Sequence, residues 1–101
     1  MPVMIENSES VSTAYLSGEL DHHCAKGIRD EIDEAIEKHK PTQLILDFKN
    51  VTFMDSSGIG LVMGRYRAMQ ILDGKVTVKN ASLHIRKVMR LAGLDRLASI
   101  E

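Results

Sequence analysis

The sequence lacks several features that would place a chain of 101 residues in a specialised class. Its only cysteine is Cys24, so no disulfide can form within the chain. No segment is long and apolar enough to cross a bilayer, and the N-terminus has no basic flank followed by a long apolar run. From these absences we expect a cytoplasmic protein.

The charge balance gives no indication of a nucleic-acid partner. The 13 Lys and Arg residues are offset by 14 Asp and Glu residues, for a formal net charge of -1, whereas binding to a phosphate backbone needs a clustered basic face. The 44% hydrophobic and 27% charged residues are typical of a globular protein. At this length folding buries roughly 65% of the surface of the unfolded chain, enough for one core. We therefore predict that residues 1–101 form a single domain.

Motifs for catalysis or cofactor binding are also missing. The chain has neither a P-loop nor a dinucleotide-binding glycine pattern, and it has no Gly-x-Ser-x-Gly elbow. No paired acid and base can be named, so we do not expect an enzyme. His22, His23 and Cys24 are adjacent in sequence, but adjacent helical residues diverge by about 100° and rarely bind one ion together. No second ligand cluster follows, and we predict no metal and no cofactor.

The stretch that organises the chain is residues 53–66, Phe-Met-Asp-Ser-Ser-Gly-Ile-Gly-Leu-Val-Met-Gly-Arg-Tyr. A short apolar segment runs into two hydroxyl residues and a glycine. Apolar residues then recur at the spacing of a helix face, at Ile59, Val62, Tyr66 and Met69. Asp55 or Ser56 is suited to the N-cap, where a side-chain oxygen accepts a backbone N–H that the first turn leaves unpaired. The pattern places a serine hydroxyl at a surface turn.

Before this stretch, the sequence predicts two strands, a helix and a third strand. Residues 3–5 and 11–16 read as strands joined by a turn at residues 7–10, which favours a hairpin. Asp21 is a plausible N-cap for a first amphipathic helix that ends before Pro41. Its apolar positions are Ala25, Ile28, Ile32, Ala35 and Ile36. Residues 44–46 form an apolar run typical of a central strand, followed by a loop around residues 49–50.

After the second helix, the chain alternates between strand and helix once more. The second helix is expected to end near residues 73–74, and residues 75–78 alternate as in a strand. Ser82 can cap a third helix with Ile85, Val88, Met89 and Ala92 on one side, and Gly93 can end it. Residues 97–100 are predicted to form a last short strand.

This alternation predicts an α/β fold with a mixed, mostly parallel sheet that starts with a β-hairpin and carries packed helices. Sites in such folds gather in loops at the carboxyl ends of strands. The turns at residues 21–23 and 55–56 both lead from a strand region into a helix. We expect them to open on the same sheet edge and to form one surface.

The motif residues resemble a known family. Residues 53–60, continuing through Gly64, Arg65 and Tyr66, are similar to the phosphorylation segment of bacterial anti-sigma factor antagonists of the STAS domain family. Residues 18–23, Gly-Glu-Leu-Asp-His-His, resemble the first strand-to-helix loop of that family. The similarity covers essentially the whole chain, including residues 91–94, and the presence of both motifs indicates the sporulation members of the family.

The resemblance implies a regulatory role in transcription. In this family the serine at the position of Ser56 is phosphorylated by the anti-sigma factor, which is an ATP-dependent serine kinase. The unphosphorylated antagonist binds that kinase and frees the sporulation sigma factor, and a PP2C-type phosphatase resets this partner switch. We expect the free protein to be a monomer. The expected partner-binding residues are Asp21, His22, His23, Asp55, Ser56, Ser57, Gly58, Gly60, Leu61 and Gly64.

Several alternatives remain open at the level of sequence. Ser56 could be only a helix cap, because serine is preferred there in all proteins. Gly60, Gly64 and Ala68 lie at a spacing of four, flanked by Leu61 and Ile71; this strip could pack on another element or form a smooth patch for the partner. The module could instead sense a nucleotide or another small ligand, or act in a general stress-response switch.

Overall fold

The sheet begins with the predicted hairpin, although its strands are longer than the sequence indicated. The computed structural model describes residues 3–101, of which β1 covers Val3–Ser8 and β2 covers Val11–Leu20. The two strands are antiparallel and leave a turn at Glu9 and Ser10 alone. The turn predicted over residues 7–10 is therefore too long. Ser12 Oγ donates a hydrogen bond to Asn7 Oδ1 at 2.6 Å, which ties the two strands together beside the turn.

The central strand β3, Gln43–Met54, joins two segments that the sequence separated. The loop expected around residues 49–50 is wrong, because Lys49 and Asn50 continue the strand. Its pairing with β2 shifts register between Tyr15 and Ser17 and again beyond Gly18. Gly18 has φ +78, a conformation that costs glycine little. These irregularities interrupt the regular pairing of β2 with β3, which then resumes as far as Leu20 and Met54.

The first helix, α1, runs over Ala25–His39 and buries the predicted apolar face. Its buried residues are Ile28, Ile32, Ala35 and Ile36. Lys40 follows in the left-handed region at φ 46, and Pro41 comes next, so the helix ends where the proline rule places it. α1 packs against β1 and β2 and against the second helix.

The second helix, α2, covers Ser56–Ile71 and is more deeply embedded than its periodicity predicted. Val62 and Met69 are fully buried, while Ile59 and Tyr66 pack against the core. Three further residues of α2 are buried, and these are Gly58, Leu61 and Arg65. One face of α2 therefore packs on the sheet, and another packs on α1.

The C-terminal third contains β4 (Lys75–Lys79), α3 (Leu83–Leu91) and β5 (Ser99–Ile100). Ser82 Oγ accepts a hydrogen bond from Ile85 N at 3.2 Å, which confirms the predicted cap. Gly93 follows α3 with φ +80, as the predicted stop requires. The last strand is shorter than predicted because residues 94–96 form a 3-10 turn.

The five strands lie in the order β1-β2-β3-β4-β5, with β1 antiparallel to β2 and all other neighbours parallel. The prediction of a mixed, mostly parallel α/β sheet that starts with a hairpin is confirmed. Within residues 3–101, no helix has the length and apolar character needed to cross a membrane.

Candidate functional site

Two strand-to-helix turns meet at one edge of the sheet. Leu20, the last residue of β2, pairs in register with Met54, the last residue of β3. Asp55 N also donates a hydrogen bond to Leu20 O at 3.3 Å. Parallel neighbouring strands end on the same side, so the turns after them are adjacent. The expectation that residues 21–23 and 55–56 open on one edge is confirmed.

Asp55 is the N-cap of α2, and this leaves Ser56 out of the capping role. Asp55 Oδ1 accepts a hydrogen bond from Ser57 N at 2.8 Å, and the Asp55 carbonyl accepts one from Gly58 N at 3.0 Å. Ser56 is the first residue of the helix and is exposed. Of the two predicted caps, Asp55 is correct and Ser56 is wrong. The Ser56 hydroxyl is therefore not engaged as the cap of α2.

Replacement of Asp55 by Ala should loosen the first turn of α2. Loss of an N-cap side chain costs about 1 kcal/mol, and we expect a lower free energy of unfolding by about that amount in urea denaturation. Asp55→Ser should retain most of the stability, because a hydroxyl can accept the same N–H. An equal loss in both variants would contradict the capping role.

Asp21 organises the neighbouring turn, but not as the N-cap that was predicted. α1 begins at Ala25 and is preceded by Cys24, whose side chain makes no cap hydrogen bond within the described residues. Asp21 Oδ1 instead accepts hydrogen bonds from His23 N at 3.0 Å and from Cys24 N at 3.1 Å. Partial desolvation raises the pKa of Asp21, but the donors from Cys24 and His23 outweigh it and hold the pKa below the ordinary 3.8.

The order of this turn should depend on the charge of Asp21. A depressed carboxyl pKa stabilises the folded turn above pH 3.8, and that contribution is lost as the pH falls through the lower, folded value. We expect the amide protons of His23 and Cys24 to shift together in an NMR titration, with a midpoint below 3.8. Titration at or above that value would show that these hydrogen bonds do not favour the carboxylate.

His22 and His23 lie on the surface at this edge. Both are exposed, and their ring centroids are 4.0 Å apart with an interplanar angle of 37°. Cys24 is partly buried, and desolvation together with Asp21 raises the pKa of its thiol, which disfavours the nucleophilic thiolate. Among residues 3–101 no three His, Cys, Asp or Glu side chains are grouped as metal ligands.

Two residues expected to bind the partner are buried inside the domain. Gly58 lies against the side chain of Met54, and a Cβ added to Gly58 would meet Met54 Cγ and lie 3.3 Å from Leu20 Cβ. Leu61 is 4% exposed and belongs to the core. Their burial favours a packing role, in which they hold the first turns of α2 against the rest of the domain. Direct contact of Gly58 or Leu61 with the partner stays a prediction.

The glycines Gly60 and Gly64 of α2 are not needed for close packing against a neighbouring element. A Cβ at Gly60 or Gly64 would meet nothing within 4 Å among the described residues, beyond its own stretch of helix. Gly60 is exposed, and Gly64 and Ala68 are partly exposed. The packing explanation for the two glycines is therefore wrong. A smooth patch beside Ser56 remains a prediction.

Two basic residues of α1 also lie close to the start of α2. They were not among the binding residues predicted from the sequence. Lys26 and Arg29 line a cleft of about 310 Å³ together with Ser57 and Gly60. Their spacing of three places them on one helix face, and this spacing is the feature of the sequence that could have predicted them. The surface around Ser56 thus has carboxylates at the two turns and cations along α1.

Farther along the same pair of helices, Arg65 of α2 contacts Asp33 of α1. Arg65 Nε lies 2.9 Å from Asp33 Oδ1, and Arg65 is 5% exposed. Burial lowers the pKa of Arg65 from its ordinary value, and the nearby Asp33 carboxylate opposes that shift. The guanidinium remains charged at neutral pH. This ion pair fixes α1 against α2 and thereby supports the two turns.

Comparison with known proteins places the chain in a family. The family model of the STAS domain matches residues 2–101. This chain belongs to the STAS domain family. The anti-sigma F factor antagonist of Paenibacillus polymyxa is 33% identical to this STAS domain over 100 residues, covering 99% of this chain and 86% of that protein.

Solved structures agree with the fold of this STAS domain. The unphosphorylated form of the anti-sigma factor antagonist SpoIIAA is 36% identical, with a TM-score of 0.85 over 98% of this chain and 87% of the other. The phosphorylated form of SpoIIAA, described as a Bacillus cell fate determinant, has the same identity and a TM-score of 0.77, over 98% and 90% of the two chains.

Proposed function

We propose that this STAS domain is an anti-sigma factor antagonist controlled by phosphorylation of Ser56. The unphosphorylated form binds an anti-sigma factor that is also an ATP-dependent serine kinase, and binding frees a sporulation sigma factor. The kinase phosphorylates Ser56 and ends the complex, and a PP2C-type phosphatase restores the binding form. The antagonist itself catalyses no reaction in this cycle.

The observation that carries the proposal is the placement of Ser56. Its residue is exposed at the first position of α2, and Asp55 supplies the cap that Ser56 would otherwise provide. A kinase can therefore reach the hydroxyl without opening the helix. Backbone N–H groups and the positive end of the helix dipole also favour an anion at this position. The site accepts a phosphate without refolding of the domain.

The same position explains why phosphorylation opposes docking. A phosphate adds about -1.5 to -2 charges and three acceptor oxygens at pH 7. On Ser56 it stands next to the Asp55 carboxylate. A partner that covers this turn must desolvate both charges together, which weakens the complex.

The names of the relatives support this assignment. The protein from Paenibacillus polymyxa is an anti-sigma F factor antagonist, and SpoIIAA, an anti-sigma factor antagonist, has been solved in unphosphorylated and phosphorylated forms. In the proposed complex Asp21 faces a basic group of the kinase. The other contacts of the docking surface are His22, His23, Asp55, Ser56, Ser57, Gly60 and Gly64, with Lys26 and Arg29 along its border.

Complex formation with the cognate anti-sigma factor tests the proposal. The purified antagonist is added to the anti-sigma factor already bound to its sigma factor, with a non-hydrolysable ATP analogue, and the mixture is separated by size exclusion. We expect the antagonist to co-elute with the anti-sigma factor and the sigma factor to elute free. A sigma factor that stays bound at excess antagonist would refute the assignment.

A further inference from the structure

The groove between α1 and α2 contains a second cavity, remote from Ser56 along α2. Its volume is about 340 Å³, within the range of small-ligand sites. The apolar walls come from Ile36, Ala68, Ile71 and Leu72, of which Ile71 is 86% exposed. The polar lining consists of Asp33, Glu37, Lys40 and Arg65.

Arg65 contributes a buried guanidinium to the lining of this cavity. Its guanidinium is buried, and neither Nε nor Nη1 has a hydrogen-bond partner among residues 3–101. The 2.9 Å contact from Nε to Asp33 Oδ1 is an ion pair that lacks hydrogen-bond alignment. Buried donors without acceptors are costly, and a guanidinium matches the two oxygens of a carboxylate.

We propose that this cavity binds a small amphipathic monocarboxylate, with its carboxylate on Arg65 and its aliphatic tail among Ile36, Ala68 and Ile71. The charge of the lining selects a monoanion, because Asp33 and Glu37 repel a doubly charged phosphate. The Lys40 ammonium donates to Glu37 O at 3.1 Å and adds a positive charge at the rim. A medium-chain carboxylate such as octanoate has both the head group and the tail that this lining requires.

This site is independent of the proposed antagonist function. None of its lining residues is among the contacts proposed for the docking surface, although Ala68 and Ile71 also belong to the strip of small residues on α2. Its occupancy can be measured on the free, unphosphorylated protein. Failure of one proposal therefore leaves the other standing.

Titration of the full isotope-labelled chain with octanoate, followed by NMR, tests the site. We expect saturable binding at one site, with shifts at the Arg65 side-chain N–H and at the methyl groups of Ile36, Ala68 and Ile71. Octanol carries the tail without the charge, and acetate carries the charge without the tail. Each should bind at least about tenfold more weakly than octanoate, because each lacks either the charged head group or the apolar tail.

Charge variants of the lining separate recognition from nonspecific association. Glu37→Gln removes a repelling carboxylate from the lining and should strengthen octanoate binding several-fold. The matched control Glu34→Gln also changes an exposed glutamate of α1, but outside this cavity, and should leave affinity unchanged. Arg65→Met retains bulk and should abolish the preference for octanoate over octanol.

Three results would overturn the proposal. These are equal binding of octanol and octanoate, shifts that map outside the cavity, and a Glu37→Gln affinity equal to that of Glu34→Gln. The ligand series and the two glutamate variants decide the matter even if Arg65→Met does not fold.

Discussion

A negative charge on Ser56 is expected to weaken binding to the anti-sigma kinase by about a hundredfold or more. A loss of about 3 kcal/mol is sufficient, because each 1.4 kcal/mol is a tenfold change in affinity. The loss arises from desolvating the new charge beside Asp55 at the start of α2. Calorimetric titration of the kinase with phosphorylated protein and with Ser56→Asp measures it, and the phosphorylated form should be the weaker of the two because it carries more charge.

Two variants make this result specific. Ser56→Ala should bind with the affinity of the unphosphorylated protein and remain bound in the presence of ATP. Ser99→Asp places the same charge on an exposed serine of β5, away from the docking surface, and should bind normally. If Ser99→Asp weakened binding as much as Ser56→Asp, the loss of affinity would be due to net charge and not to the position of Ser56.

The second large effect is expected at the buried ion pair between the helices. Asp33→Asn leaves the buried Arg65 guanidinium without its carboxylate partner, and uncompensated buried charges are strongly destabilising. We expect the free energy of unfolding to fall by about 2 kcal/mol. This is less than the usual cost at a fully buried pair, because Asp33 itself is 43% exposed and its charge is partly screened. Urea denaturation gives the value directly.

A change of the other member of the ion pair, Arg65→Met, should lower the free energy of unfolding by less than Asp33→Asn. Arg65→Met removes the buried charge and leaves Asp33 able to face water, and the double variant should recover part of the loss. Asp30→Asn breaks contacts with Lys26 and Arg29 that are exposed, and it should change stability little. If Asp30→Asn and Asp33→Asn were equally destabilising, burial of Arg65 would not be the cause.

Local rules predicted the parts of the fold that depend on neighbouring residues. The face of α1, its end before Pro41, the Ser82 cap and the Gly93 stop all follow from spacing and capping chemistry within one or two turns. Alternation of strands and helices was enough to place the turns at residues 21–23 and 55–56 on one edge. The exposed Ser56 followed from the same pattern.

Tertiary contacts decided what the sequence could not predict. Lys49 and Asn50 resemble a turn in composition, but pairing with β2 across bulges keeps them in β3. Leu61 lies outside the predicted stripe of α2 and is buried because α2 packs on α1 as well as on the sheet. Arg65 is buried for the same reason, and its ion pair depends on Asp33 from a helix far away in sequence. Single-helix periodicity contains no information about a second packing face.

The most direct test of the switch is to map the phosphate after incubation with the cognate kinase and ATP. Trypsin cleavage after Lys49 and Arg65 releases one peptide that contains Thr52, Ser56 and Ser57, and fragmentation between the two serines distinguishes them. We expect a single phosphate on Ser56 and no phosphorylation of Ser56→Ala. Phosphate on Ser57 or Thr52 instead, or none from a kinase preparation that phosphorylates a homologous antagonist, would contradict it.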